Sequence, residues 1–87
     1  MVQVTSVHMS GGTQHEHIAK VKWRDDKNST GESTRAEMVT FIEGGGKAYV
    51  TDGTNTVYVG VVNATPKYIR THADGKWTDN LLALPRY

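Results

Sequence analysis

The sequence predicts an α+β fold: a small antiparallel β-sheet with one packed α-helix, in the order ββαβββ. Two observations lead to this prediction. Several short segments alternate apolar and polar residues, as half-buried strands do, and turn residues separate them. Only one segment has apolar residues at helical spacing. With 87 residues in total, we expect a single domain, residues 1–87.

The first two strands are predicted to form a hairpin. Val2 to Met9 alternates and is rich in β-branched residues, and Gly11-Gly12 then supplies a turn. Alternation resumes from His15 to Arg24, where Ile18 is the exception to the pattern. Because side chains two positions apart on a strand share a face, His15 and His17 are expected to point the same way.

The helix is predicted to follow a polar loop, Asp25 to Gly31. Thr34 and Glu37 fit a capping box, and Ser33 is the alternative cap. Glycines 44–46 then end the helix, since glycine tolerates the left-handed geometry of a C-cap. The apolar face of the helix consists of Met38, Phe41 and Ile42.

Three more strands are predicted after the helix, and the segment at Trp77 is a candidate for a sixth short strand. The turns between them are expected at Asp52-Gly53-Thr54-Asn55, near Pro66, and at Asp74-Gly75. Gly60 interrupts a valine-rich strand, which indicates a bulge or a close approach of another group to the backbone. The tail is expected to form a single turn that Pro85 ends. The three predicted strands are Lys47 to Thr51, Thr56 to Asn63 and Tyr68 to His72.

Composition excludes several classes of function. The chain has no cysteine, so disulfides, thiolate metal sites and cysteine nucleophiles are excluded. Ten basic and nine acidic residues give a net charge of +1, which argues against binding to duplex nucleic acid through many phosphate contacts. Residues 44–87 carry five basic and three acidic groups, so this half is mildly cationic. No membrane-spanning or signal segment is evident, and a cytoplasmic location is expected.

The His15-Glu16-His17 segment raises the hypothesis of a metal site. Two histidines on one strand face are close enough to bind the same ion, and a third ligand would have to come from His8 or His72. The alternative is that both histidines lie at the polar end of a strand and only form hydrogen bonds. No metal ligand and no cofactor are predicted.

Two glycine-rich segments are candidates for anion-binding loops. Gly11-Gly12 lies between strands, whereas phosphate loops precede a helix, so a hairpin turn is the better interpretation. Glycines 44–46 follow a helix, yet three glycines exceed what a C-cap needs. The bare backbone beside Lys47 therefore remains a candidate for close approach by a ligand.

The C-terminal half contains a group of aromatic and basic residues. Tyr68, Arg70 and His72 share one strand face, Trp77 follows across a turn, and Arg86 lies in the tail. Aromatic rings beside guanidinium groups suit a ligand that combines a nucleobase with phosphate. The alternative is that these side chains only pack on one another.

Four segments together resemble a known family of small bacterial and phage proteins, the domain of unknown function 3892. They are Gly12 with His15-Glu16-His17-Ile18, Ser33 to Glu37, Gly45 to Val50, and Asp74-Gly75 through Leu84-Pro85. The resemblance covers essentially the whole chain. It implies a single compact domain, and by analogy an oligomeric binding protein, and it supplies no catalytic residue.

We therefore expect a non-enzymatic small binding protein, forming a homo-oligomer, that captures an anionic small ligand such as a nucleotide or cyclic nucleotide signal. No catalytic residue is predicted. A protein-interaction or nucleic-acid adaptor is one alternative, and a histidine-based metal-binding protein or metal-dependent enzyme is another. The predicted ligand-binding residues are His15, His17, Lys47, Tyr68, Arg70, Trp77 and Arg86.

Overall fold

Seven strands form one mixed β-sheet in the computed structural model, which describes residues 1–87. Strands account for 48% of the residues and helices for 14%. The order across the sheet is β3-β2-β1-β4-β5-β6-β7. The strands are β1 (Val2–Met9), β2 (Ile18–Asp25), β3 (Thr30–Thr34), β4 (Ala48–Thr51), β5 (Thr56–Val62), β6 (Tyr68–Ala73) and β7 (Lys76–Thr78).

Strand β1 is central and is paired along both edges. On one edge it runs antiparallel to β2, and on the other its first residues, Val2 and Gln3, run parallel to β4. The C-terminal tail continues that second edge, where the Val7 N–H donates to the Pro85 carbonyl at 3.0 Å and the Tyr87 N–H donates to the Val7 carbonyl at 3.1 Å. Two segments distant in sequence therefore share one edge of a single strand.

A bulge in β1 places its valines on the core side. The register passes from Val4 opposite Trp23 to Ser6 opposite Lys22, so Thr5 has no partner. A bulge of one residue breaks strict alternation. As a result Val4 and Val7, three positions apart, are both buried on the same face.

The core lies between this face of the sheet and the helix α1 (Arg35–Glu43), and Leu81 from the tail is fully buried in it. Thr71 is the one polar residue of β6 buried on this side, and its hydroxyl is bonded to Thr78. The buried apolar residues are Val4, Val7, Ile18, Val21, Met38, Val39, Ala48, Val50, Val59, Ile69 and Leu81.

The predicted helix and its cap are confirmed, but the predicted apolar face was partly wrong, since Met38 and Val39 are the buried residues and Phe41 is 40% exposed. The Glu37 N–H donates to the Thr34 hydroxyl at 3.2 Å, and the Glu37 carboxylate accepts from the Thr34 N–H at 2.8 Å. The helix ends at the first of the three glycines, and Gly45 has a φ of +99°. No helix of the protein is long and apolar enough to cross a membrane.

The predicted fold class, a small antiparallel sheet in the order ββαβββ, was wrong. The protein is mostly β, with seven strands in a mixed sheet. Strand β3 is not predicted because its sequence, TGEST, is polar and has the residue types of a loop followed by a helix cap. Trp23 supplies its apolar contact instead, since a Cβ on Gly31 would lie 2.5 Å from the indole ring, and the indole N–H donates to the Ser33 hydroxyl at 3.0 Å.

The predicted strand from His15 to Arg24 was wrong at its start. His15–His17 form one turn of 3-10 helix, and β2 begins at Ile18, the residue that broke the alternation. The His17 imidazole accepts a hydrogen bond from the Gln14 N–H at 3.1 Å, which closes the turn. His15 and His17 therefore do not share a strand face.

Candidate functional site

A row of side chains crosses the face of the sheet opposite the core. Residues directly opposite one another in paired strands share a face, and the registers here align one residue from each of the seven strands. We call this set the outer row. In spatial order it consists of Thr30, Arg24, Gln3, Tyr49, Tyr58, His72 and Trp77.

One half of the outer row is aromatic. Tyr49, Tyr58, His72 and Trp77 occupy adjacent strands β4 to β7. Tyr58 is 44% exposed and Trp77 is 46% exposed. The His72 and Trp77 rings meet edge to face with 5.8 Å between their centroids. Large aromatic side chains left open in this way are available to stack on a ligand.

Gly60 allows these rings to lie close to the backbone of β5. A Cβ at this position would lie 2.9 Å from Cδ2 of His72 and 3.4 Å from Cζ3 of Trp77. The sequence prediction of a close approach at Gly60 is confirmed. The approaching groups are rings of the protein's own outer row.

Two clefts lie on either side of His72. One has a volume of about 300 Å³ and is lined by Gly46, Lys47, Ala48, Tyr58, Val59 and His72. The other has a volume of about 400 Å³ and is lined by Gly60, Val61, His72, Gly75, Lys76 and Trp77. Both volumes fall within the range of small-molecule sites. Each cleft therefore combines an exposed aromatic ring with one lysine.

The other half of this face is basic. The residues of β1 to β3 that share the face of the outer row include three cations, Lys20, Lys22 and Arg24, and one acid, Glu32. The Tyr87 ring lies here, with the Lys22 ammonium 4.4 Å from its centroid. Burial, and then the hydrogen bond and charge of Glu32, raise the pKa of Tyr87 to about 12, so its phenol stays protonated at neutral pH.

Four of the predicted ligand-binding residues lie on or beside this face. Lys47 lines the first cleft and Trp77 lines the second. Tyr68 and Arg70 lie opposite Val62 and Gly60 on the same side. Arg70 is already engaged within the protein: its Nε donates to the Thr78 carbonyl at 3.1 Å and its Nη2 to Asp79 at 2.8 Å.

The other three predicted residues lie elsewhere. Arg86 donates to the carbonyls of Leu82 and Leu84 at 3.1 and 3.4 Å, within the tail. His17 packs over Gly12 in the connection between β1 and β2. His15 is only 6% exposed.

His15 has an unusual environment. Its Nε2 is buried without a hydrogen-bond partner and lies 3.7 Å from the Asp79 carboxylate. Burial, and then the nearby Arg70 guanidinium, lower the pKa of His15 below its ordinary value of 6.5, so the imidazole is neutral at pH 7. Neutral histidine is the form that binds metal, but no group of three or more His, Cys, Asp or Glu side chains is placed to hold an ion. His8, the proposed third ligand, contacts Tyr87 instead.

Sequence reasoning did not select Tyr58, His72 and Lys76 as ligand-binding residues. The alternation of β5 already indicated that Tyr58 points away from the core. Its neighbours could not be identified, because they depend on the register between β4, β5 and β6. The Asp74-Gly75 hairpin was the one signal that placed His72 beside Trp77, and both residues of that turn have positive φ, 53° and 77°.

Comparison with known proteins gives a family and no activity. Residues 3–85 match the model of a family described as "Protein of unknown function (DUF3892)". Neither the curated proteins nor the solved structures contain a match.

Proposed function

We propose a binding function for this chain, which belongs to the DUF3892 family of proteins of unknown function. The protein acts as a non-enzymatic binding protein for an anionic small ligand with a planar ring, of which a nucleotide is the simplest example. The observation that carries this proposal is the pair of clefts beside His72, each with an exposed aromatic ring and a lysine.

The two kinds of side chain supply different parts of the recognition. A planar ring gains stacking energy on Trp77 or Tyr58, and stacking on an aromatic side chain contributes about 1–3 kcal/mol per base. Lys47 and Lys76 are exposed ammonium groups at the rims of the clefts, where they can meet phosphate. Arg70 has a positioning role, because its bonds to Thr78 and Asp79 hold β7 and so the Trp77 that β7 carries.

Titration of the purified protein with nucleotides tests this proposal. Nucleoside mono- and triphosphates and cyclic dinucleotides are added, and binding is followed by calorimetry and by the emission of Trp77. A ligand that binds only the folded protein also raises the melting temperature. The other tryptophan, Trp23, has its indole N–H bonded to Ser33. It is the tryptophan that remains in a Trp77→Phe variant, so this variant shows whether Trp23 emission is insensitive to ligand.

Variants distinguish the site from the rest of the surface. Trp77→Ala should weaken binding by about fivefold to a hundredfold, given the energy of stacking. Lys47→Ala should weaken binding of the triphosphate more than that of the nucleoside. Lys27→Ala, which removes the same charge from the exposed turn between β2 and β3, is the matched control. Absence of any heat, emission change or melting shift at millimolar nucleotide would overturn the proposal.

A further inference from the structure

We propose that the whole outer face of the sheet binds single-stranded nucleic acid, with bases on the aromatic half and phosphates on the basic half. This inference rests on the proposed function, since the clefts beside His72 would hold one base of the longer ligand. The ligand is then a polymer, and strands β1 to β3 supply a second set of contacts to it.

The length of the outer row supports a ligand larger than one nucleotide. The row has a member on each of seven strands, and neighbouring strands are about 4.8 Å apart, so it extends over roughly 29 Å. The clefts beside His72 occupy only the end of the row formed by β4 to β7. A mononucleotide would leave the half that contains Arg24 without a role.

The order of the side chains matches the two parts of a nucleotide chain. Consecutive aromatic rings from β4 to β7 provide stacking positions that tolerate any base. Beyond them, the face carries Lys20, Lys22 and Arg24 against the single acid Glu32, a surplus of positive charge suited to phosphate. Tyr87, 37% exposed beside Lys22, adds a fifth ring within the basic half.

The aromatic rings of the outer row favour a single-stranded ligand over a duplex. Stacking requires unpaired bases that can turn out of the chain, and a duplex keeps its bases inside. The net charge of +1 also gives the protein too few cations overall to hold a duplex by its phosphates alone. Three of the ten cations, Lys20, Lys22 and Arg24, lie on the face that also carries the rings, against the single acid Glu32 on the same strands.

Fluorescence anisotropy with a labelled ten-nucleotide oligothymidylate tests the inference. We expect it to bind at least tenfold more tightly than thymidine monophosphate and than a duplex of the same length. With about three phosphate contacts, the logarithm of the affinity should fall with the logarithm of salt concentration with a slope of about −2. A Lys22→Ala/Arg24→Ala variant should weaken the oligonucleotide by tenfold or more and leave mononucleotide binding unchanged. Lys27→Ala again controls for loss of charge.

The outcomes separate this inference from the proposed function. If the mononucleotide binds as tightly as the oligonucleotide, or if the Lys22/Arg24 variant binds both normally, the extended surface is overturned and the nucleotide site stands. If neither ligand binds, both proposals fail. If the wild type is a dimer by light scattering, and Trp77→Ala makes it a monomer while no oligonucleotide binds, the face is an interface between copies and the inference is overturned.

Discussion

At position 60 a missing side chain determines how two rings lie. His72 and Trp77 both approach the space that a Cβ would occupy. Both are side chains at the surface, so they can move away when a methyl group is added. Gly60 therefore controls the shape of the cleft more than the stability of the fold.

Gly60→Ala should separate these two effects. Loss of conformational freedom in the unfolded chain favours the variant by about 0.4–1 kcal/mol, which offsets most of the cost of moving the rings. We expect the free energy of unfolding to change by less than about 1 kcal/mol, while Trp77 emission shifts and nucleotide affinity falls by about fivefold. In a His72→Ala background the emission shift should become small, because Trp77 alone is at ordinary contact distance. Unchanged emission in the single variant would contradict the assigned ring positions.

His15 is a buried histidine that the fold keeps neutral. Its pKa is lowered in the folded state, first by burial and then by Arg70. The unfolded chain therefore binds this proton more readily than the folded protein does. The resulting contribution to stability is fully present above the unfolded value of 6.5 and is lost as the pH falls through that value toward the lower, folded pKa.

Replacement of His15 should remove part of the acid sensitivity. In wild-type protein we expect the free energy of unfolding, measured with urea, to fall between pH 7 and pH 5. In His15→Gln this fall should be smaller, because a neutral amide does not titrate. An identical pH dependence in His15→Gln would show that another group is responsible.

At the scale of the elements, α1 is a short helix whose start is fixed by two reciprocal hydrogen bonds. A nine-residue helix forms few internal hydrogen bonds, so the N–H groups of its first turn are a large share of its backbone donors, and capping them has a large effect on its stability. The backbone bond from Thr34, and then its side chain, also lower the pKa of the exposed Glu37 carboxyl. The box therefore works best with Glu37 ionised.

Thr34→Ala should lower the free energy of unfolding by about 1 kcal/mol, the usual effect of removing an N-cap hydroxyl. Thr34→Ser keeps the hydroxyl and should stay near wild type. Chemical denaturation monitored by circular dichroism measures both. A full loss in the serine variant would indicate that the threonine methyl group, rather than the cap, is what matters.

Elements with a local chemical signal could be predicted from the sequence. The Thr34–Glu37 box, glycines 44–46 and the Asp-Gly hairpin each depend on residues within a few positions of one another. Strand β3 has no such signal, since its burial comes from Trp23 on another strand. The His15–His17 turn imitated a strand because three polar residues fit either alternation or a turn. Local sequence patterns therefore predict elements that depend on neighbouring residues. They fail at segments whose burial depends on residues distant in the sequence.

At the scale of the whole molecule, the tail completes the core. Leu81 is fully buried, although it lies in a turn outside the strands and the helix. Tail residues 85–87 then pair with β1. Residues 79–87 are therefore part of the folded unit.

Leu81→Ala should lower the free energy of unfolding by about 2–5 kcal/mol, the range for truncating a buried leucine. For a domain stabilised by about 5–15 kcal/mol this is a large fraction, and the variant should melt well below wild type. Leu84→Ala, at a half-buried position in the same tail, should cost clearly less. Small losses in both variants would argue that the tail acts only through its backbone pairing.

The outer row shows what could not be predicted at this scale. Faces within a single strand follow from alternation, which puts Tyr58 on the other face from Val57 and Val59, and Arg70 on the same face as Tyr68 and His72. The three-residue strand around Trp77 is too short for such an assignment. Which residues are neighbours depends on the pairing of β1 with β4, between positions 2–3 and 48–49, for which no local pattern exists. The outer row is therefore brought together only by the pairing registers of all seven strands, which the sequence does not show directly.

The shared edge of β1 has a consequence for how the chain matures during its synthesis. On the edge away from β2, β1 pairs first with residues near position 48 and, further along the strand, with residues near position 86. A ribosome releases the chain from its N-terminal end, so β1 and β2 emerge long before either partner of that edge. In the nascent hairpin of β1 and β2, the backbone N–H and C=O groups on the other edge of β1 therefore stay unpaired until those partners have been synthesised. β1 itself carries no Asp, Glu, Lys or Arg, so no charged side chain discourages another nascent chain from pairing there first.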